Sequence, residues 1–130
     1  MRPFKTAIEA ALLRGIAAAA QLDAMNRQKP ILVVEEIRSV DWASITFVGA
    51  RHCFDLRLDG NPESIADAMQ ALTLRIPDWE FRIPGHIVAD IDLAGVETLD
   101  TSHSDPGEVS NAGPSTVSHS FVVNVLTIVD

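Results

Sequence analysis

The side chains of this sequence best suited to chemistry fall on two short stretches that alternate apolar and polar residues. The first is Val48 to Arg57, VGARHCFDLR, and the second is His86 to Leu93, HIVADIDL. Successive side chains of a strand point to opposite faces. Extended, the first stretch sets Arg51, Cys53, Asp55 and Arg57 on one face, and the second sets His86, Asp90 and Asp92 on one face. If the two stretches belong to neighbouring hairpins, an imidazole meets carboxylates. His86 oriented by Asp90 or Asp92 can then serve as a general base. Trp42 joins the same face through its own strand, and an Arg beside Trp suits an anionic or planar ligand. The competing interpretation is a solvated or dimer-facing sheet surface whose Arg and Asp side chains pair across strands. The catalytic candidates are thus His86, Asp90 and Asp92; the ligand or interface candidates are Trp42, Arg51, Cys53, Asp55 and Arg57.

Metal chemistry fits these residues poorly. Alternate residues of a strand lie about 6.5–7 Å apart, so His86 and Asp92 cannot close on one ion without ligands from elsewhere. His103, Asp105, Glu108 and His119 match no metal spacing either. No metal and no other cofactor is expected. Cys53 needs an exposed, electropositive setting to be a nucleophile, and otherwise acts as a small apolar filler. As the single cysteine it excludes an intramolecular disulfide and a cysteine-based zinc site. The sequence contains no Gly-rich phosphate loop, nucleophile elbow or paired-His helix motif.

The first stretch sits in a β-meander, Ile31 to Gly60. Gly49-Ala50 is the expected two-residue turn, because Gly at the first turn position supplies the positive φ of a type II′ hairpin. That turn pairs Val48 with Arg51. It sets Phe47, Ile45 and Ala43 opposite His52, Phe54 and Leu56 on a greasy face, and Thr46, Ser44 and Trp42 opposite Cys53, Asp55 and Arg57 on a polar one. His52 is then a core or edge histidine with one hydrogen-bonded nitrogen. Upstream, ILVV fits a strand with both faces at least partly covered. Adjacent Glu35 and Glu36 mark a bulge or the point where the strand leaves the core. The sequence allows either two strands over 31–48 or one long bent strand.

Two helices flank the meander. Thr6-Ala7-Ile8-Glu9 matches a capping box, predicting a helix from there to about Arg27, ahead of Pro30. Ile8, Leu12, Ala19, Leu22 and Met25 form its stripe, with Ala11 and Gly15 beside them. The small residues Ala17–Ala20 offer a close helix–helix contact between two copies, or close packing on the protein's own sheet. Asn61-Pro62-Glu63 starts the second helix, with Asn as cap and Pro in the first turn. Ile65, Met69, Leu72 and Ile76 form its buried stripe, and Pro77 ends it. The linker 78–85 carries Trp79, Phe81 and Pro84, which are expected against the core. The strand from His86 to Glu97 should turn Ile87, Ala89, Ile91 and Leu93 to one face, and His86, Val88, Asp90 and Asp92 to the other. A final strand, Phe121 to Val129, is apolar on both faces and is expected inside the sheet or under a partner. Residues 98–118 are rich in Ser, Thr, Gly, Pro and Asp and read as a mobile loop.

The element order is α-β-β-(β)-α-β-β. It predicts an α+β domain over 1–130 with two helices packed on one face of a mainly antiparallel, four- to five-stranded sheet, in the order of a circularly permuted ferredoxin-like sandwich. A hydrophobic fraction of 47% is ordinary for a folded chain. The formal net charge of -8, with no local cluster of Lys and Arg, disfavours nucleic acid. No apolar run approaches the ~20 residues that cross a bilayer, and a cytoplasmic location is expected. The function these features predict is a non-enzymatic binding or interaction module that forms a homodimer or larger assembly and has room for a small-molecule ligand. The alternative is a small hydrolase or isomerase using His86 with Asp90 or Asp92.

Overall fold

A computed structural model of the chain describes residues 3–23, 25–26, 28–99 and 116–130. Helix α1 spans Pro3–Ala19, strand β1 Ile31–Ala43 and strand β2 Val48–Gly60. Helix α2 covers Pro62–Arg75 and runs into a short 3-10 turn, Ile76–Asp78; strands β3, His86–Leu99, and β4, Val117–Val129, complete the fold. The strands form one sheet in the order β1-β2-β4-β3, every neighbour antiparallel. This is the expected α+β class, with four strands. β2, α2 and β3 make a split βαβ unit with β4 inserted between its strands. Opening the chain before β4 and rejoining its ends gives the ferredoxin-like order β-α-β-β-α-β.

The helices cover one face of the sheet. Phe54, Leu56 and Leu58 of β2 and Phe121, Val123 and Val125 of β4 point into the core, where Leu12 and Ile16 of α1 and Ile65 and Leu72 of α2 meet them. β4 lies inside the sheet, paired on both edges, with one face buried under the helices and the other half-buried. It also begins earlier than Phe121, since Val117 and His119 already face the core side.

The hairpin register differs from the expectation. The turn is 44–47, Ala43 pairs with Val48 and Trp42 with Gly49, so Trp42 does not face Arg57, which pairs with Val33. Ser44 explains the change. Its hydroxyl oxygen accepts from the N–H of Phe47 at 3.0 Å and of Thr46 at 3.3 Å, while its own N–H donates to the Phe47 carbonyl at 2.8 Å. A serine that satisfies the turn backbone removes the need for a positive-φ glycine. Gly49 instead lies in the ladder against β4, where an added Cβ would meet the Thr127 carbonyl oxygen. Ile45 and Phe47 therefore leave the greasy face for solvent. The even residues of β2 keep the face expected of them, and β1 is one strand with a register shift between Val34 and Glu36, the bulge that the paired glutamates implied.

Helix α1 starts at Pro3, so Thr6 lies inside it rather than at a cap, and it stops at Ala19 rather than near Arg27. Leu22 N–H bonds the Ala17 carbonyl and Gln21 N–H the Ala18 carbonyl, with Gln21 at φ 60. This is a Schellman motif with Gln in the left-handed position usually held by Gly. Met25 is consequently outside the helix and 90% exposed. The small-residue seam is filled from within the chain only in part, since Ala17 is half-buried and Ala18 exposed. Ala19 and Ala20 are buried in the core, and the ring of Phe81 lies where a side chain on Gly15 would go. Helix α2 follows the sequence closely. Asn61 Oδ1 accepts from Ser64 N–H at 2.8 Å, and Ile65, Ala68, Leu72 and Ile76 are buried. Of the loop expected over 98–118, Leu99 still belongs to β3 and Val117 already to β4; residues 100–115, and the expectation of mobility with them, lie outside the described residues.

Candidate functional site

The helix-free face of the sheet assembles most of the polar candidates. Its register rows read, from β1 across to β3, Trp42–Gly49–Ile128–Ile87, then Val40–Arg51–Leu126–Asp90, then Arg38–Cys53–Asn124–Asp92, then Glu36–Asp55–Val122–Ala94. A shallow depression of about 520 Å³ lies over the two middle rows. Arg51, Cys53, Asp55, Trp42, Asp90 and Asp92 are thus gathered on one surface, with β4 between the arginine side and the aspartate side.

His86 is not brought to the aspartates. A register shift between Val88 and Asp90 adds one residue to β3. That bulge reverses the side-chain alternation. Val88, Ile91 and Leu93 turn to the helix side and pack on the core, whereas Ile87, Asp90 and Asp92 turn to the open face. His86 shares the parity of Val88, sits roughly 13 Å along the strand from Asp90, and has its Nδ1 at 3.0 Å from the Pro84 carbonyl oxygen. The general-base pair expected from the sequence is not formed.

Arg38, which the sequence did not single out, organises the β1–β2 side. Its Nη1 donates to Asp55 Oδ2 at 3.0 Å and to Glu36, and its Nη2 to Cys53 Sγ at 3.0 Å. Asp55 and then Cys53 hold the guanidinium even more firmly in its charged form. The Cys53 thiol is therefore set within an Arg–Asp pair, its Sγ accepting from Arg38 and donating to Asp55 Oδ1 at 4.0 Å. At the far end of β2, Arg57 forms a bidentate pair with Asp59, Nε to Oδ1 at 2.8 Å and Nη2 to Oδ2 at 3.0 Å, and Glu35 lies 3.6 Å away. Arg57, together with the Ser118 hydroxyl at 2.7 Å, keeps the Asp59 carboxyl below its usual range. Arg57 is thus committed to pairs within the chain, at a half-exposed position. Arg51 is different: its Cζ stands 5.9 Å from the Trp42 ring centroid, and among the described residues it has no carboxylate partner. Asp92 takes one long bond, 3.4 Å, from Asn124 Nδ2. No group of three or more His, Cys, Asp or Glu side chains suited to a metal exists among the described residues.

A second polar constellation lies under α1, on the covered face. Ser39 Oγ donates to Glu9 Oε2 and sits 2.8 Å from His52 Nδ1; His52 Nε2 is 3.0 Å from Thr127 Oγ1. The hydroxyl proton of Ser39 points at the carboxylate, so its oxygen accepts from His52 Nδ1–H. That direction is opposite to the one that activates a serine nucleophile. The network ties α1, β1, β2 and β4 together and satisfies polar groups that burial would otherwise penalise. Glu9, read from the sequence as part of a capping box, belongs here. His52 is a core histidine as expected, but with both ring nitrogens engaged. Pairing of residues 30 positions apart leaves no local signal in the sequence.

His119, on the core side of β4 opposite Leu58, has its protonation disfavoured by burial. The folded state then binds a proton less readily than the unfolded chain, whose His titrates near 6.5. Stability is therefore full above that value and falls as the pH drops through it. Urea denaturation at pH 7.5 and 5.5 is expected to show this loss, and His119→Leu to reduce it.

No helix among the described residues is long and apolar enough to cross a membrane. No protein-family profile and no curated protein matches the chain. Among solved structures it is similar to a chain of the virion of a native gene transfer agent particle, at 11% identity and a TM-score of 0.49, with 87% of this chain and 84% of that chain covered. A similarity of that size fixes neither partner nor activity.

Proposed function

We propose that this protein is a non-enzymatic interaction module that assembles with copies of itself through the end of the sheet at the β1–β2 turn and the helix-free face beside it. The observation that supports this reading is where its exposed apolar bulk lies. Six of the large hydrophobic residues left exposed, Val40, Ile45, Phe47, Val48, Ile87 and Val129, occupy that one end, Ile45 fully exposed. The register sets Val48 and Val129 in the last row, on the helix side, and Val40 and Ile87 on the open face, while Ile45 and Phe47 lie in the turn itself, so the apolar bulk wraps that end of the sheet. Scattered exposed hydrophobics need no explanation, but a contiguous patch rimmed by polar residues marks a contact surface. Catalysis is not favoured by any comparable observation, since His86 stands apart from Asp90 and Asp92.

Native mass spectrometry of the untagged protein is the test. A dimer or larger species is expected, weakened by Phe47→Ser and by Trp42→Ala with circular dichroism unchanged. A monomer at all concentrations would overturn the reading.

A further inference from the structure

The rows of the open face have a property beyond being uncovered: they are complementary to themselves. On the β1–β2 side stand Arg38, already paired with Asp55 and Glu36, and Arg51, which has no carboxylate partner among the described residues; the acids Asp90 and Asp92 lie on β3. The apolar row is divided likewise, with Trp42 at one edge and Ile87 at the other. We infer that the self-association proposed above, on which this inference rests, is a face-to-face dimer whose two-fold axis runs parallel to the strands, laying β1 of one copy over β3 of the other.

Such an axis keeps each row at its own height and reverses it. Arg38 then stands over the partner's Asp92, and Trp42 over the partner's Ile87. Asp90 lies beside the partner's Val40, flanked by the partner's Arg38 and Arg51. Every contact occurs twice, as an isologous interface requires. An axis across the strands would lay β3 on the partner's β3 and oppose Asp90 and Asp92 to the same acids, which is unfavourable. Aligned sheets pack about 10 Å apart at roughly −30°, an offset that long arginine side chains span. The depression over the middle rows gives the partner's arginines room. Size also fits: four strands about 4.8 Å apart and some 40 Å long present roughly 800 Å², the share of one partner in a standard stable interface.

Charge reversal tests the arrangement. Arg51→Glu alone and Asp90→Arg alone each place like charges together twice, and each is expected to weaken dimerisation roughly a hundredfold by sedimentation or native mass spectrometry. Both residues are exposed on the sheet surface, so folding should be retained, checked by circular dichroism. The double variant R51E/D90R is expected to regain the dimer, and an equimolar mixture of the two single variants to form a heterodimer. Wild-type oligomers indifferent to both reversals would overturn the inference while leaving self-association standing. A wild-type monomer, with or without a bound small molecule, would overturn both. Restoration of a species larger than a dimer would show head-to-tail contacts and overturn the two-fold arrangement alone.

Discussion

Phe54→Ala is expected to remove about 3–5 kcal/mol of unfolding free energy, whereas Phe47→Ala is expected to change it by less than about 1 kcal/mol. The two residues are seven apart on one hairpin, and an alternation argument from a turn at Gly49-Ala50 sets both on the buried face. The structure separates them. Phe54 is 0% exposed, among Leu12, Leu56, Leu72 and Val123 in the core cluster, so truncation leaves a cavity that packed neighbours cannot fill. Phe47 belongs to the turn 44–47 and remains 49% exposed. Urea titrations followed by tryptophan fluorescence distinguish the cases. Equal losses for the two variants would mean that the hairpin has the other register and that Phe47 is core.

Gly49→Asn is the second large effect, with an expected loss of at least about 3 kcal/mol and a fall in Tm on the order of 10 °C. A glycine used for its positive φ in a turn accepts Asn at a cost of a few tenths, because Asn visits the left-handed region readily. Gly49 has a different use. A Cβ built there would lie 1.8 Å from the Thr127 carbonyl oxygen and 2.8 Å from the Ile128 Cα, both main-chain atoms of the neighbouring strand. Backbone cannot rotate away as a flexible side chain can, so the β2–β4 ladder must separate at this end. That end carries the exposed apolar cluster, and the variant should also disturb self-association. Thermal unfolding by circular dichroism provides the measurement; an unchanged Tm would return Gly49 to the turn.

Element types and the layer architecture were legible in local residue patterns. Helix α2 was legible to its caps because its signals are local: Asn61 bonds a backbone three residues away, and Pro62 and Pro77 restrict their own φ. The alternation 50–58 was legible because burial of Phe54, Leu56 and Leu58 imposes a period of two. Glu35 and Glu36 marked either a bulge or the strand's departure from the core, as two adjacent charges cannot both turn away from a core, and the register shift at Val34/Glu36 is the bulge. The remainder depended on contacts between distant residues. Competition between two turn chemistries, Ser44 against Gly49, shifted the β1 register. One extra residue between Val88 and Asp90 reversed the parity of β3 and took His86 from its aspartates, and a period-two reading does not reveal an inserted residue. Helix α1 ended at Ala19 because the chain turned at Gln21, a residue type that announces no turn. The network of Glu9, Ser39, His52 and Thr127, and the Arg38–Cys53–Asp55 cluster, join residues distant in sequence. Their partners are chosen by strand order, which local periodicity does not encode.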